Sequence, residues 1–89
     1  MEFEWDAGKA ASNLRKHRIS FPFAAEIFLD KNRTERQDKN DDYDEDRWIT
    51  IGLVDEIEIV VVYTIRNENI RIISARKANS HERQAYWNR

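Results

Sequence analysis

Three segments rich in β-branched residues, set almost end to end, constrain this chain more than any other feature. Arg47–Leu53 alternates, which places Ile49, Ile51 and Leu53 on one face. Ile57–Ile65 and Ile70–Ala75 follow, both dense in Ile and Val. The link Arg66–Asn69 is short enough for an antiparallel hairpin. With Asn67 and Glu68 as its turn, Arg66 pairs with Asn69, Thr64 with Arg71, Val62 with Ile73 and Glu58 with Lys77. Side chains alternate along a strand, so Arg66 and Arg71 fall on one face as diagonal neighbours. Arg76 then points to the opposite face, beside Ile59. Two arginines this close repel unless an anion lies between them: a phosphate, or a carboxylate such as that of Glu68.

Helical signals flank these strands. Asp6 caps a predicted helix of roughly Ala7 to His17, with Ala10, Leu14 and His17 or Arg18 at helical spacing. Pro22 suits the first position of a second, short helix that buries Ala25, Ile27 and Phe28 and stops near Leu29. Residues 30–46 hold no apolar side chain except Tyr43; a weak edge strand around Arg33–Gln37 and an exposed loop from Asp38 to Asp46 are expected. Asn79 and Glu82 form a capping box for a last helix that ends near Asn88. The predicted fold is α+β: two N-terminal helices, an antiparallel meander sheet of three to four strands and a C-terminal helix, in one domain over residues 1–89. At 89 residues the core is thin, about 60–65% of the unfolded surface being buried, so a partner adds stability.

Charge and composition remove several functions. The net charge of −2 argues against a protein that coats DNA, yet residues 66–89 carry six Lys/Arg against two acids, enough for a local phosphate patch. There is no cysteine, hence no disulfide and no thiolate metal site, which suits a reducing cytosol. The acidic start Met1–Asp6 does not resemble a signal peptide, and Ile57–Ile65 is too short to span a bilayer. A cytoplasmic protein without membrane contact is expected. The acidic run Asp38, Asn40, Asp42, Asp44 is read as a solvated loop, because a calcium loop needs Gly at its sixth and Glu at its twelfth position, where Tyr43 and Ile49 stand. Two isolated histidines do not make a zinc site, and Gly8 and Gly52 alone cannot form a phosphate-cradling loop. No metal and no cofactor are expected.

The remaining side chains suit RNA cleavage without a metal. A 2′-hydroxyl attack needs a base, an acid for the leaving oxygen, and cations for the charge that develops on phosphate. His17 beside Lys16, Glu45, and Arg47, Arg66 and Arg71 supply those roles; Lys16, Arg76 and Lys77 are the expected further contacts to RNA. His17 also has a structural reason to stand where it does, since a cation is favoured at a helix C-terminus.

The stretch Phe3-x-Trp5-Asp6-x-x-Lys9-x-x-x-Asn13-x-x-Lys16-His17-x-Ile19-x-Phe21 resembles the opening of the BrnT family of bacterial toxins. The likeness continues through Ala25-x-x-Phe28-x-Asp30, Glu45-x-Arg47, Gly52 and Val61-Val62-x-Thr64-x-Arg66. It closes with Arg71-Ile72-Ile73-Ser74-Ala75-Arg76-x-Ala78 and Glu82-x-x-x-Tyr86. The resemblance implies a RelE-like ribonuclease fold, metal-independent cleavage of RNA and arrest of translation and growth. It also implies a BrnA-type antitoxin that neutralises the toxin, so that operator DNA is reached only through the antitoxin. The runner-up is an inactive module that binds its antitoxin and acts only as co-repressor. The family usually has Gly after Lys-His, where this chain has Arg18. Gly suits the left-handed residue that ends a helix, and another residue there costs roughly 1 kcal/mol.

Overall fold

The computed structural model describes residues 2–39 and 45–88. A two-residue strand, β1 (Phe3–Glu4), leads into α1 (Ala7–His17). The Asp6 carboxylate accepts the Lys9 N–H at 2.9 Å, which fixes the start of α1 as expected. At its other end Arg18 takes the left-handed conformation, φ 62°, and donates its N–H to the Leu14 carbonyl at 2.9 Å. The arginine therefore carries the strain that a glycine would avoid.

Next comes α2 (Phe21–Ala25), little more than one turn, which runs directly into a 3-10 turn at Glu26–Leu29. Four strands follow: β2 (Thr34–Asp38), β3 (Arg47–Val54), β4 (Ile57–Arg66) and β5 (Asn69–Lys77). The chain ends on α3 (Ser80–Trp87), opened by the Asn79–Glu82 capping box. Both tight turns, Asp55-Glu56 and Asn67-Glu68, place two residues at positive φ, the geometry that matches strand twist in a hairpin.

The architecture corrects the predicted one. In place of two N-terminal helices and a wholly antiparallel meander of three to four strands, one full-length N-terminal helix precedes most of a five-stranded mixed sheet ordered β1-β5-β4-β3-β2. The first strand, β1, runs parallel to β5, with Phe3 beside Ile70 and Glu4 beside Arg71. A two-residue strand has too little length to show a period in sequence. The β4–β5 register agrees with expectation from Arg66–Asn69 to Tyr63–Ile72 and then slips by one. Ile73 is an extra residue in β5, so Val62 pairs with Ser74 and Ile59 with Lys77, not with Ile73 and Glu58 with Lys77. Arg76 consequently pairs with Val60 and shares a face with Arg71.

α1, α2 and the 3-10 turn cover one face of the sheet. Phe21, Ala24 and Ile27 are fully buried there against Ile59, Val61, Ile72 and Ala75. Gly52 allows the close approach: a Cβ on it would lie 2.6 Å from Ile27 Cγ1. The free edge of β5 is sealed by a side chain, since the buried Asn13 amide donates to the Ala75 carbonyl at 2.8 Å and accepts the Ala75 N–H at 3.1 Å. α3 covers part of the opposite face. Its buried Tyr86 donates a hydroxyl hydrogen bond to Asp30 at 2.6 Å, and the same Asp30 oxygen accepts the Leu53 N–H at 2.8 Å. Among the described residues no helix is long and apolar enough to cross a membrane.

Candidate functional site

On the sheet face turned away from α1, a transverse row runs from β2 to β1. Asp38 is paired with Arg47, Thr64 with Arg71, and Arg71 with Glu4. Arg47 lies one step beyond the Trp48–Tyr63 pair and so reaches the row beside Thr64. Thr64 is buried and donates its hydroxyl to the Asp46 carbonyl at 2.6 Å, which holds the chain just before β3. Arg66 adds a third arginine one step nearer the turn, so three neighbouring strands bring Arg47, Arg66 and Arg71 to one side of the sheet.

Carboxylates balance two of these cations. Arg66 Nη2 meets Glu45 Oε2 at 3.0 Å, and Arg71 Nη1 meets Glu4 Oε2 at 2.7 Å. Asn69 Nδ2 donates to the other Glu4 oxygen at 3.3 Å. The Arg71 hydrogen bond holds the Glu4 carboxyl below the usual glutamate value against partial desolvation, helped by Asn69 and by the fields of Arg71 and Arg66. The carboxylate that relieves arginine repulsion is therefore not Glu68, which sits in the turn. With side chains 46% and 26% exposed, Arg66 and Arg71 remain open to an incoming anion.

The other expected site residues lie elsewhere. His17 and Lys16 stand at the end of α1, in a shallow depression along the β5 edge with Lys9, Ser12, Ile73 and Ser74. Arg76 is engaged on the arginine face but by α3: both its terminal nitrogens donate to Glu82, at 2.7 and 2.8 Å. Lys77 is exposed on the helical side of the sheet, in a groove with Leu14 and Ile57. Sequence reasoning missed Glu4, Asn69 and the role of Thr64. The alternation of Phe3 and Trp5 with Glu2, Glu4 and Asp6 is the one hint that Glu4 belongs to a strand.

Among the described residues, no three His, Cys, Asp or Glu side chains converge where a metal ion would sit. The acidic run rejected as a calcium loop falls mostly on residues 40–44, outside the described residues.

A search of curated proteins finds no match to this chain. The model of the family described as ribonuclease toxin, BrnT, of type II toxin-antitoxin system matches residues 5–82. That stretch runs from Trp5 through Glu82 and takes in Arg47, Arg66, Arg71 and His17, so the chain belongs to the BrnT family of ribonuclease toxins of type II toxin–antitoxin systems.

Proposed function

We propose that this toxin cuts RNA without a metal ion, on the face that carries Arg47, Arg66 and Arg71. The observation that carries the reading is the grouping of three arginines on one sheet face, of which Arg66 and Arg71 are partly exposed and held by one carboxylate contact apiece. A scissile phosphate entering there exchanges with Glu4 and Glu45 for the guanidinium donors. A base takes the proton of the 2′-hydroxyl, its oxygen bonds to phosphorus, the bond to the 5′-oxygen breaks, and that oxygen takes up a proton. Glu45 shares the arginines' location and is the base we favour; His17 would have to act from the β5 edge. Preorganised guanidinium groups stabilise the added negative charge of the transition state.

In the cytoplasm such cleavage halts translation and growth, and a BrnA-type antitoxin neutralises it and carries the complex to operator DNA. A second reading is an inactive antitoxin-binding co-repressor, favoured by the two glutamates already seated on the arginines. Induced expression without the antitoxin separates the two: growth arrest with fragmented RNA supports cleavage, and normal growth supports the co-repressor. Cleavage by purified toxin should survive EDTA; its loss on chelation and return with magnesium would overturn the metal-independent scheme.

A further inference from the structure

The helical side of the sheet holds an apolar depression that the core does not fill. Leu14 at 48% and Ile57 at 38% are among the exposed large hydrophobic residues. They share a groove of about 370 Å³ with Ile19, Phe23, Arg18 and Lys77. A second depression continues past Leu14 between Arg15 and Arg18. Arg15, Arg18 and Lys77 make no ion pair with any described residue, although Arg33, Arg66, Arg71 and Arg76 each hold a carboxylate. No carboxylate lines either depression. The rim is cationic and uncommitted.

Arg18 adds an independent observation. It ends α1 at φ 62°, where a glycine would fit without strain, and it stands at the mouth of this groove. Strain of this kind persists where the surrounding structure over-determines it, and it clusters at binding and active sites.

We propose that the groove receives an acidic amphipathic helix of the antitoxin. Apolar side chains one turn apart enter between Leu14, Phe23 and Ile57, and carboxylates on the flanks meet Arg15, Arg18 and Lys77. The proposal rests on the reading of this chain as a toxin with a protein antitoxin. An RNA strand would find the same cations but no exposed ring to stack on, since Leu14 and Ile57 are aliphatic and Phe23 is half-buried. The groove opens on the side of the sheet opposite Arg66 and Arg71, so contacts made in it are separable from RNA cleavage by mutation.

The test is a calorimetric titration of the toxin with the antitoxin encoded beside it. Leu14→Glu should weaken binding at least about 100-fold, as loss of a central anchor does. Arg18→Gly should weaken it about tenfold while raising Tm by roughly 4 °C, because strain is relieved as the contact is lost. Lys31→Glu, on a distant exposed turn, should leave affinity unchanged. A merely structural Arg18 would raise Tm and leave affinity alone, and that result counts against the groove. Wild-type affinity in both Leu14→Glu and Arg18→Gly overturns the proposal while leaving the toxin reading intact. If these variants lose RNA binding instead, the groove belongs to RNA and the proposal falls. If the wild type binds no antitoxin, both fail together.

Discussion

Arg76 and Arg71 lie on the same strand and the same face of the sheet, but their guanidinium groups are bound differently. Arg76 gives both terminal nitrogens to Glu82, at 2.7 and 2.8 Å, on a helix whose first turn is fixed by its own capping box. Arg71 gives one nitrogen to Glu4, at 2.7 Å, on a two-residue edge strand. Arg66 likewise has one contact, to Glu45 at 3.0 Å. A fork used in full against a rigid partner fixes geometry, and here it anchors α3. A fork used in part keeps donors for a ligand and holds a partner that phosphate can replace.

The strongest test of this contrast is to remove each arginine in turn. Arg71→Ala or Arg66→Ala should lower the single-turnover rate of RNA cleavage roughly 100- to 1000-fold. Ion pairs this open to solvent are worth little, so Tm should stay close to that of the wild type. Full cleavage by Arg66→Ala would place the site on the wrong end of this face.

Arg76→Ala should act in the opposite manner. Loss of the two-bond contact to Glu82 should cost about 1 kcal/mol, a fall in Tm of roughly 4–8 °C, measured by thermal melting. Cleavage per folded molecule should stay within a few-fold of wild type. Lysine at position 76 should not restore the Tm, because an ammonium cannot reproduce the paired contact. A collapse of cleavage without loss of Tm would erase the distinction between the two ends.

Acid provides a finer test. The Glu82 carboxyl is held below the usual 4.5 by the Arg76 hydrogen bond first, against desolvation and with help from the Asn79 backbone N–H and the Arg76 and Arg36 charges. The Glu4 carboxyl is lowered too, by Arg71 first. A carboxyl depressed in the folded state contributes stability that is present above its unfolded pKa and lost as pH falls through its folded one. Tm should therefore drop as pH is lowered through and below about 4.5, and Arg76→Ala should show a shallower drop because Glu82 has lost its main cause. Parallel acid slopes for wild type and Arg76→Ala would mean that the pair adds nothing measurable.

Much of this arrangement could be read from residues close together in the chain. Asp6, Asn79 with Glu82, and the Asn67-Glu68 turn act within a few positions, and each sits where its local chemistry requires. The shared face of Arg66 and Arg71 was legible because both lie on the turn side of the β5 irregularity. Arg76 was misplaced because Ile72-Ile73-Ser74-Ala75 reads as one uninterrupted strand, and nothing local marks the surplus residue. The partners Glu4 for Arg71 and Asn13 for Ala75 are 67 and 62 positions distant, which no local period encodes. β1 was missed for the same reason: its ladder exists only once β5 is in place.

The surplus residue at Ile73 acts as a change of parity. On a regular strand an odd separation sends two side chains to opposite sides, yet residues 71 and 76, five apart, emerge together. Deleting Ile73 would leave residues 71 and 76 four apart on a regular strand and still on one side. Ala75 would stay in the core and Arg76 would stay in reach of Glu82, so α3 would keep its anchor and only the local bend of the bulge would be lost. One residue inserted between Asn69 and Arg71, by contrast, would carry Asn69 out of phase with Arg71 while α3 stayed seated. Two length changes of the same size, a few positions apart on one strand, would thus differ in kind: the first removes a bend and keeps every pair, the second breaks the grip on phosphate.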